Sequence, residues 1–172
     1  MDEATLRAEI LAFLDAHTVM SLATAGQDGG HAASLMYARD GFTLYWVSDP
    51  ESRHSRELEA QPRCAATVAP DYDDFKQIRG LQIQGRARRL KGPAARAKGM
   101  ARLAARYPFL KQFLTGRADL VRQMRKAAVY RLDPERIALI DNSKGFGHRD
   151  ILELDHDDFG SIRSKIIKRD RL

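Results

Sequence analysis

Residues 44–68 read LYWVSDPESRHSRELEAQPRCAATV, and the order of apolar and polar residues in them decides the fold. Residues 44–47 are rich in aromatic and β-branched residues, which suits a pleated, half-buried strand. The run stops at Ser48, and Asp49 and Pro50 signal a turn. Residues 52–60 read as a short helix with Ser52 at its N-cap and acids suited to a first turn. Pro62 closes it, and 63–69 is apolar and strand-like again. A hydroxyl, a guanidinium and an imidazole (Ser48, Arg53 and His54) therefore collect where a strand ends and a helix begins. The start of a helix presents free N–H groups and partial positive charge. Arg53 offers a planar fork that grips two oxygens at once. From these residues alone two readings stay open: an ordinary solvated helix cap, or a pocket for phosphate.

On the N-terminal side, Leu6, Ile10, Phe13, Leu14 and His17 recur at helical spacing, predicting an amphipathic helix over 3–16 with Asp2 or Thr5 as cap. Residues 18–25 and 31–38 read as two strands around a glycine-rich turn at 26–30. Residues 39–41, RDG, mark a hairpin into the strand at 42–48. Short turns between these three strands predict antiparallel neighbours.

On the C-terminal side, 70–78 reads as a loop and 79–90 as a long strand, with Leu81 and Ile83 on one face and Gln82 and Gln84 on the other. Gly85 inside it predicts a bulge or bend. Residues 92–127 form a helical block broken near Pro108 and Gly116, with Met100, Leu103 and Tyr107 facing the core. Residues 128–142 predict a strand, a turn at Asp133 and Pro134, and another strand. Residues 143–172 show no single pattern. Five or six strands joined by short turns, with helices at one end, predict an α+β or mainly β domain built as a small antiparallel barrel or half-barrel.

The chain has 172 residues, 44% hydrophobic and 30% charged, which suits one domain with a packed core. No apolar run is long enough to cross a bilayer, and the first residues lack the basic start of a secretory signal, so a cytoplasmic protein is expected. The lone cysteine, Cys64, lies in an apolar run and is expected to be a buried, inert thiol. A formal charge of +6 favours anionic partners. A nucleic-acid module using Arg86, Arg88, Arg89, Lys91, Arg96 and Lys98 is the reading from a different class. It is disfavoured because no aromatics are interleaved for base stacking. Residues 144–148, KGFGH, fail as a dinucleotide fingerprint because Asp150 takes the third glycine's place. Residues 155–160, DHDDFG, fail as a calcium loop at Phe159 and Ile166. The histidines show no metal spacing.

The order of elements resembles the flavin-binding split barrel, the superfamily of pyridoxamine 5′-phosphate oxidase. The resemblance covers 17–90 and returns at 128–141, and its most specific part is VSDPESRHSRELEAQPRCAATV. Ser48 matches the superfamily's strand-ending hydroxyl, Arg53 and His54 its basic pair, and AQPR its turn. The ending IALIDNSKGFG is similar to a small, poorly characterised subfamily. The resemblance implies an antiparallel split barrel with flanking helices, one domain over 1–172, and a homodimer with FMN at the subunit interface. It implies that Ser48, Arg53 and His54 hold the phosphate. The backbone of Ser34, Leu35 and Met36 would run along the flavin, Val47 beside the ribityl chain, and Asn142 or Phe146 of the second copy over the ring. An apolar strand such as SLMY suits a flat heterocycle, although core packing explains Leu35 equally well. His54 replaces the usual lysine, so phosphate affinity is expected to depend on pH. Gly80 stands where the oxidase commonly has a glutamine touching the flavin. Tyr37 and Ala38 stand where the oxidase has a substrate-contacting lysine, and the tail lacks its Arg-x-His pair. The expected function is thus an FMN-dependent oxidoreductase of unknown substrate rather than a pyridoxamine phosphate oxidase. A deazaflavin or haem on the same barrel, and a split-barrel dimer without cofactor, are the alternatives.

Overall fold

The structure is a computed structural model that describes residues 1–115, 122, 126–156 and 162–167. Helix α1 (Glu3–Ala16) opens at Asp2, whose carboxylate accepts the Thr5 N–H at 2.8 Å. It buries Leu6, Ile10, Phe13 and Leu14, the stripe read from the sequence. Each such side chain contributes on the order of 1.5–3 kcal/mol relative to exposure.

Strands β1 (Val19–Gly26) and β2 (Gly29–Met36) form a hairpin with its turn at Gln27 and Asp28. The three glycines expected in that turn, Gly26, Gly29 and Gly30, belong to the strands. The second strand ends two residues earlier than expected, and β3 (Ala38–Asp40) turns at Gly41, φ 59°, into β4 (Thr43–Ser48). β2 and β4 are not sheet neighbours. The chain leaves one limb of the sheet at Tyr37, whose hydroxyl donates to the Leu14 carbonyl at 2.8 Å, and enters the other. The simple three-strand succession read from the short turns is corrected accordingly.

Helix α2 (Arg53–Ala60) leads to β5 (Arg63–Val68), and β6 (Arg79–Arg89) follows the loop. Helices α3 (Pro93–Arg106) and α4 (Leu110–Thr115) flank Pro108; the break expected at Gly116 lies outside the described residues. The turn expected at Asp133 and Pro134 does not occur. Residues 128–141 form one strand, β7 (Ala128–Asp141). Gly85 explains this. Gln84 pairs with Arg136 and Gly85 with Pro134, so Glu135 bulges out. A Cβ at Gly85 would lie 2.8 Å from the Pro134 Cα and closer still to the Asp133 carbonyl oxygen. The missing side chain opposite lets the proline bend the strand without ending it.

The tail adds β8 (Arg149–His156) and β9 (Ile162–Ile167), a hairpin the sequence pattern did not predict. Most of 155–160 lies outside the described residues.

The strands run in the order β2-β1-β5-β6-β7-β4-β3, with every pairing among the described residues antiparallel. β7 lies along β6, while its other edge is divided: 128–132 pair with β4 and 136–140 with β8. That division splits a curled half-barrel around a core that includes Trp46, Leu22, Ile83 and Leu132. A second cluster joins α3 to the sheet through Leu103, Tyr107, Tyr45 and Val129. Met100 packs against it, as the helical stripe predicted. Cys64 is half-buried against the core, and burial pushes its thiol up to about 12, consistent with an inert role.

Two rows of small or polar side chains face outward across the sheet: Ser34, Ser21, Thr67 and Gln82, then Ala32, Ala23, Ala65 and Gln84. Val19 and Met36 stand beside them, both exposed. The basic residues of the nucleic-acid reading are also exposed. Lys98 pairs with Asp40 at 3.1 Å and Arg88 with Asp133 at 3.7 Å, as expected of a solvated face.

Candidate functional site

The exit of β4 is bent by Asp49. Its carbonyl accepts the Ser52 N–H at 3.1 Å, and its carboxylate accepts the Glu51 N–H at 2.9 Å. This turn aims the chain into α2. Ser52 is the N-cap by position, with φ −65° and ψ 152°, but its hydroxyl does not cap the helix. It lies 2.8 Å from the Asp49 carbonyl and 2.8 Å from Ser55 Oγ instead. The first intrahelical bond runs from Arg56 N to Ser52 O at 3.1 Å, which leaves the N–H groups of 53–55 at the open end of the helix. No acid sits in the first turn, contrary to the sequence reading.

His54 is buried there, 6% exposed. Its Nε2 is 2.6 Å from Ser48 Oγ and 3.1 Å from Ser52 Oγ, and Ser48 Oγ is 3.4 Å from Ser52 Oγ. The hydroxyls of Ser48, Ser52 and Ser55 and the His54 ring nitrogen thus form one chain of hydrogen-bond contacts at the open end of the helix. Burial first, and then the nearby His31, hold the His54 imidazole below its ordinary value, while Glu57 opposes them.

Arg53 is the exposed member, and its orientation is fixed. Its Nε donates to Glu57 Oε1 at 2.8 Å, and Glu57 Oε2 accepts the Thr24 hydroxyl at 2.5 Å. Hydrogen bonds from Thr24 and then Arg53 keep the Glu57 carboxyl low and ionised. Gly26 makes room for this carboxylate, since a Cβ there would lie 2.8 Å from Glu57 Oε1. With Nε engaged, Arg53 keeps its two terminal nitrogens available; Nη2 reaches only a 3.5 Å contact with the Gly29 carbonyl.

The remaining predicted residues are spread over the fold. Ser34 and Met36 are exposed on the outward face of β2, and Leu35 is half-buried against the core, as its alternative reading held. Val47 is half-buried beside the second cluster. Asn142 and Phe146 lie elsewhere. Asn142 Nδ2 donates to the Phe75 carbonyl at 2.8 Å, and Phe146, 87% exposed, meets the Phe75 ring edge-on at 6.1 Å. Gly80 is buried, and a Cβ there would lie 3.2 Å from the Val68 carbonyl oxygen, so a side chain at this position would meet a tight contact.

Sequence reasoning missed Thr24, Gly26, His31 and Glu57. Only the Arg53–Glu57 spacing of four, a helical ion pair, was visible in advance. Thr24, Gly26 and His31 join the site through β1–β2 packing against α2.

Comparison with known proteins agrees with this architecture. A family model described as pyridoxamine 5′-phosphate oxidase matches residues 6–141. A UPF0306 protein of Klebsiella pneumoniae (strain 342) is 32% identical over 117 residues, 68% of this chain and 71% of the relative. Among solved structures, the conserved hypothetical protein Rv2991 of Mycobacterium tuberculosis aligns with TM-score 0.65 at 24% identity, covering 84% of this chain and 87% of that one. HutZ of Vibrio cholerae, described as a haem storage protein, aligns with TM-score 0.62 at 19% identity, covering 76% of this chain and 90% of that one. Likeness at such identities speaks to the fold.

Proposed function

The chain belongs to the pyridoxamine 5′-phosphate oxidase family, and from that premise we propose that it is a homodimeric FMN-dependent oxidoreductase acting on a substrate other than pyridoxamine phosphate. The observation that carries this reading is the convergence of Ser48, Ser52 and His54 at the open end of α2, with Arg53 oriented beside them. Hydroxyl donors, helix N–H groups and a guanidinium fork together match a phosphate monoester. Val47 lies one residue before the phosphate-binding hydroxyl, where a ribityl chain would pass. The backbone of 34–36 would flank the ring, and the shallow outward face of β2, β1 and β5 would receive the second copy. That copy would bring its own Asn142 and Phe146, an exposed aromatic suited to covering a flat ring.

Bound FMN would supply reversible hydride or single-electron transfer. The residues of this chain bind, orient and shield it, so no catalytic side chain is assigned. The absence of a lysine at Tyr37 and Ala38 and of the Arg-x-His pair in the tail argues against the oxidase's own substrate.

Protein purified from cells, or freed of ligand and given FMN, is expected to show a flavin absorption band and to quench FMN fluorescence. Mass spectrometry of the released ligand should return FMN. Colourless protein that leaves FMN fluorescence unchanged would overturn the proposal. Haem is the second reading, and the observation behind it is the description of HutZ. A Soret band with haem in the released fraction would put it first.

A further inference from the structure

We propose that this site takes up its phosphate dianion together with a proton, which His54 accepts, so that ligand capture is proton-linked. The inference rests on the phosphate reading above and deepens it.

The geometry sets two states against each other. The His54 ring is sealed between α2 and the sheet. Its Nε2 is engaged by Ser48 and Ser52, and the His31 ring lies parallel to it, 6.3 Å between centroids and 4° between planes. From β2 the ring faces His31. From its own helix it faces Glu57, whose oxygens are already engaged by Arg53 and Thr24. β4 offers the neutral hydroxyl of Ser48, and the β1 hydroxyl of Thr24 is donated to Glu57. The preceding loop places Asp49 with its carboxylate turned to the Glu51 N–H, and Asp28 acts on Arg53 from the β1–β2 turn. β6 brings Arg88 and Arg89 to a cavity of about 190 Å³ that Ser55 and Glu59 also line.

Without ligand, a charge on this imidazole is therefore poorly compensated. Burial and His31 disfavour it, and the one nearby carboxylate is committed to other partners. A dianion at the Ser48 and Ser52 hydroxyls reverses the balance, because an opposite charge within about 4–6 Å favours the ionised form by roughly 1–3 pH units. Proton uptake then accompanies binding wherever the pH lies above the free His54 value and below the bound one. In that interval affinity falls as pH rises. Below about pH 6 the phosphate monoester itself becomes protonated and the trend turns over. A lysine at position 54 would hold its charge throughout, so this histidine converts a constant grip into one that depends on proton supply.

The test is titration calorimetry of the full chain with FMN between pH 7 and 8.5, in two buffers of different ionisation enthalpy. Affinity is expected to fall by up to about tenfold per pH unit with uptake approaching one proton. Riboflavin, which lacks the phosphate, is expected to show no such slope. His54→Lys should bind FMN with a flat profile and no proton uptake. His54→Gln, which keeps a hydrogen-bonding side chain, should bind more weakly and also flatly. A flat profile without proton uptake in the unaltered protein overturns the linkage and leaves the phosphate site standing. An undiminished slope in both variants likewise overturns it. Failure to bind FMN at any pH from 5.5 to 9 removes the phosphate site itself, and this inference with it.

Discussion

Arg53→Ala is expected to weaken FMN by roughly 10- to 100-fold while changing riboflavin affinity by less than about twofold, because in the proposed site the lost charge-assisted hydrogen bonds would go only to the phosphate. The argument turns on orientation. An exposed arginine on a short helix normally samples many rotamers, and ordering it offsets much of the gain from binding. Here Glu57 holds the guanidinium by Nε, and Thr24 holds Glu57. The terminal nitrogens are thus directed before any ligand arrives, and the ordering cost is met by folding. Titration of both ligands by fluorescence quenching checks the result. Equal losses for FMN and riboflavin would show that Arg53 does not hold the phosphate.

The second large effect concerns the fold. Gly85→Ala is expected to destabilise the protein by about 3 kcal/mol or more, since its Cβ would meet backbone atoms of Asp133 and Pro134 rather than a side chain able to turn away. For a protein of this size that corresponds to a fall in Tm of roughly 6–12 °C. Gly30→Ala makes a suitable control, because its nearest contact is the Thr24 carbonyl oxygen at 4.0 Å. Thermal unfolding followed by circular dichroism decides the matter. A fall no larger for Gly85→Ala than for Gly30→Ala would mean that the bulge is not held by the absence of a side chain.

Both effects bear on what a sequence discloses. The stripe of α1, the alternation in β6 and the strand–turn–helix at 44–60 were legible because each is set by neighbours a few residues apart. Pro134 was misread as a turn because the residue that rescues the strand, Gly85, is distant in sequence and adjacent only through pairing. Ser48, Arg53 and His54 could be picked out as a group because one short turn carries them all. Thr24 and Gly26 could not, since β1 meets α2 only once the sheet has curled. The β8–β9 hairpin escaped notice for a related reason. Its charged residues interrupt the apolar run, and pairing with β7 establishes it as a strand.

Trp46 is the single tryptophan of the chain. It is sealed from water, stacked on Tyr130 at 5.5 Å, and two residues ahead of Ser48. Its emission consequently arises from one location, next to the mouth where the nucleotide would enter. Flavins absorb where indoles emit, so occupancy would dim this lone indole by energy transfer. With FMN bound as proposed, the chain's own indole would report that loading without any label.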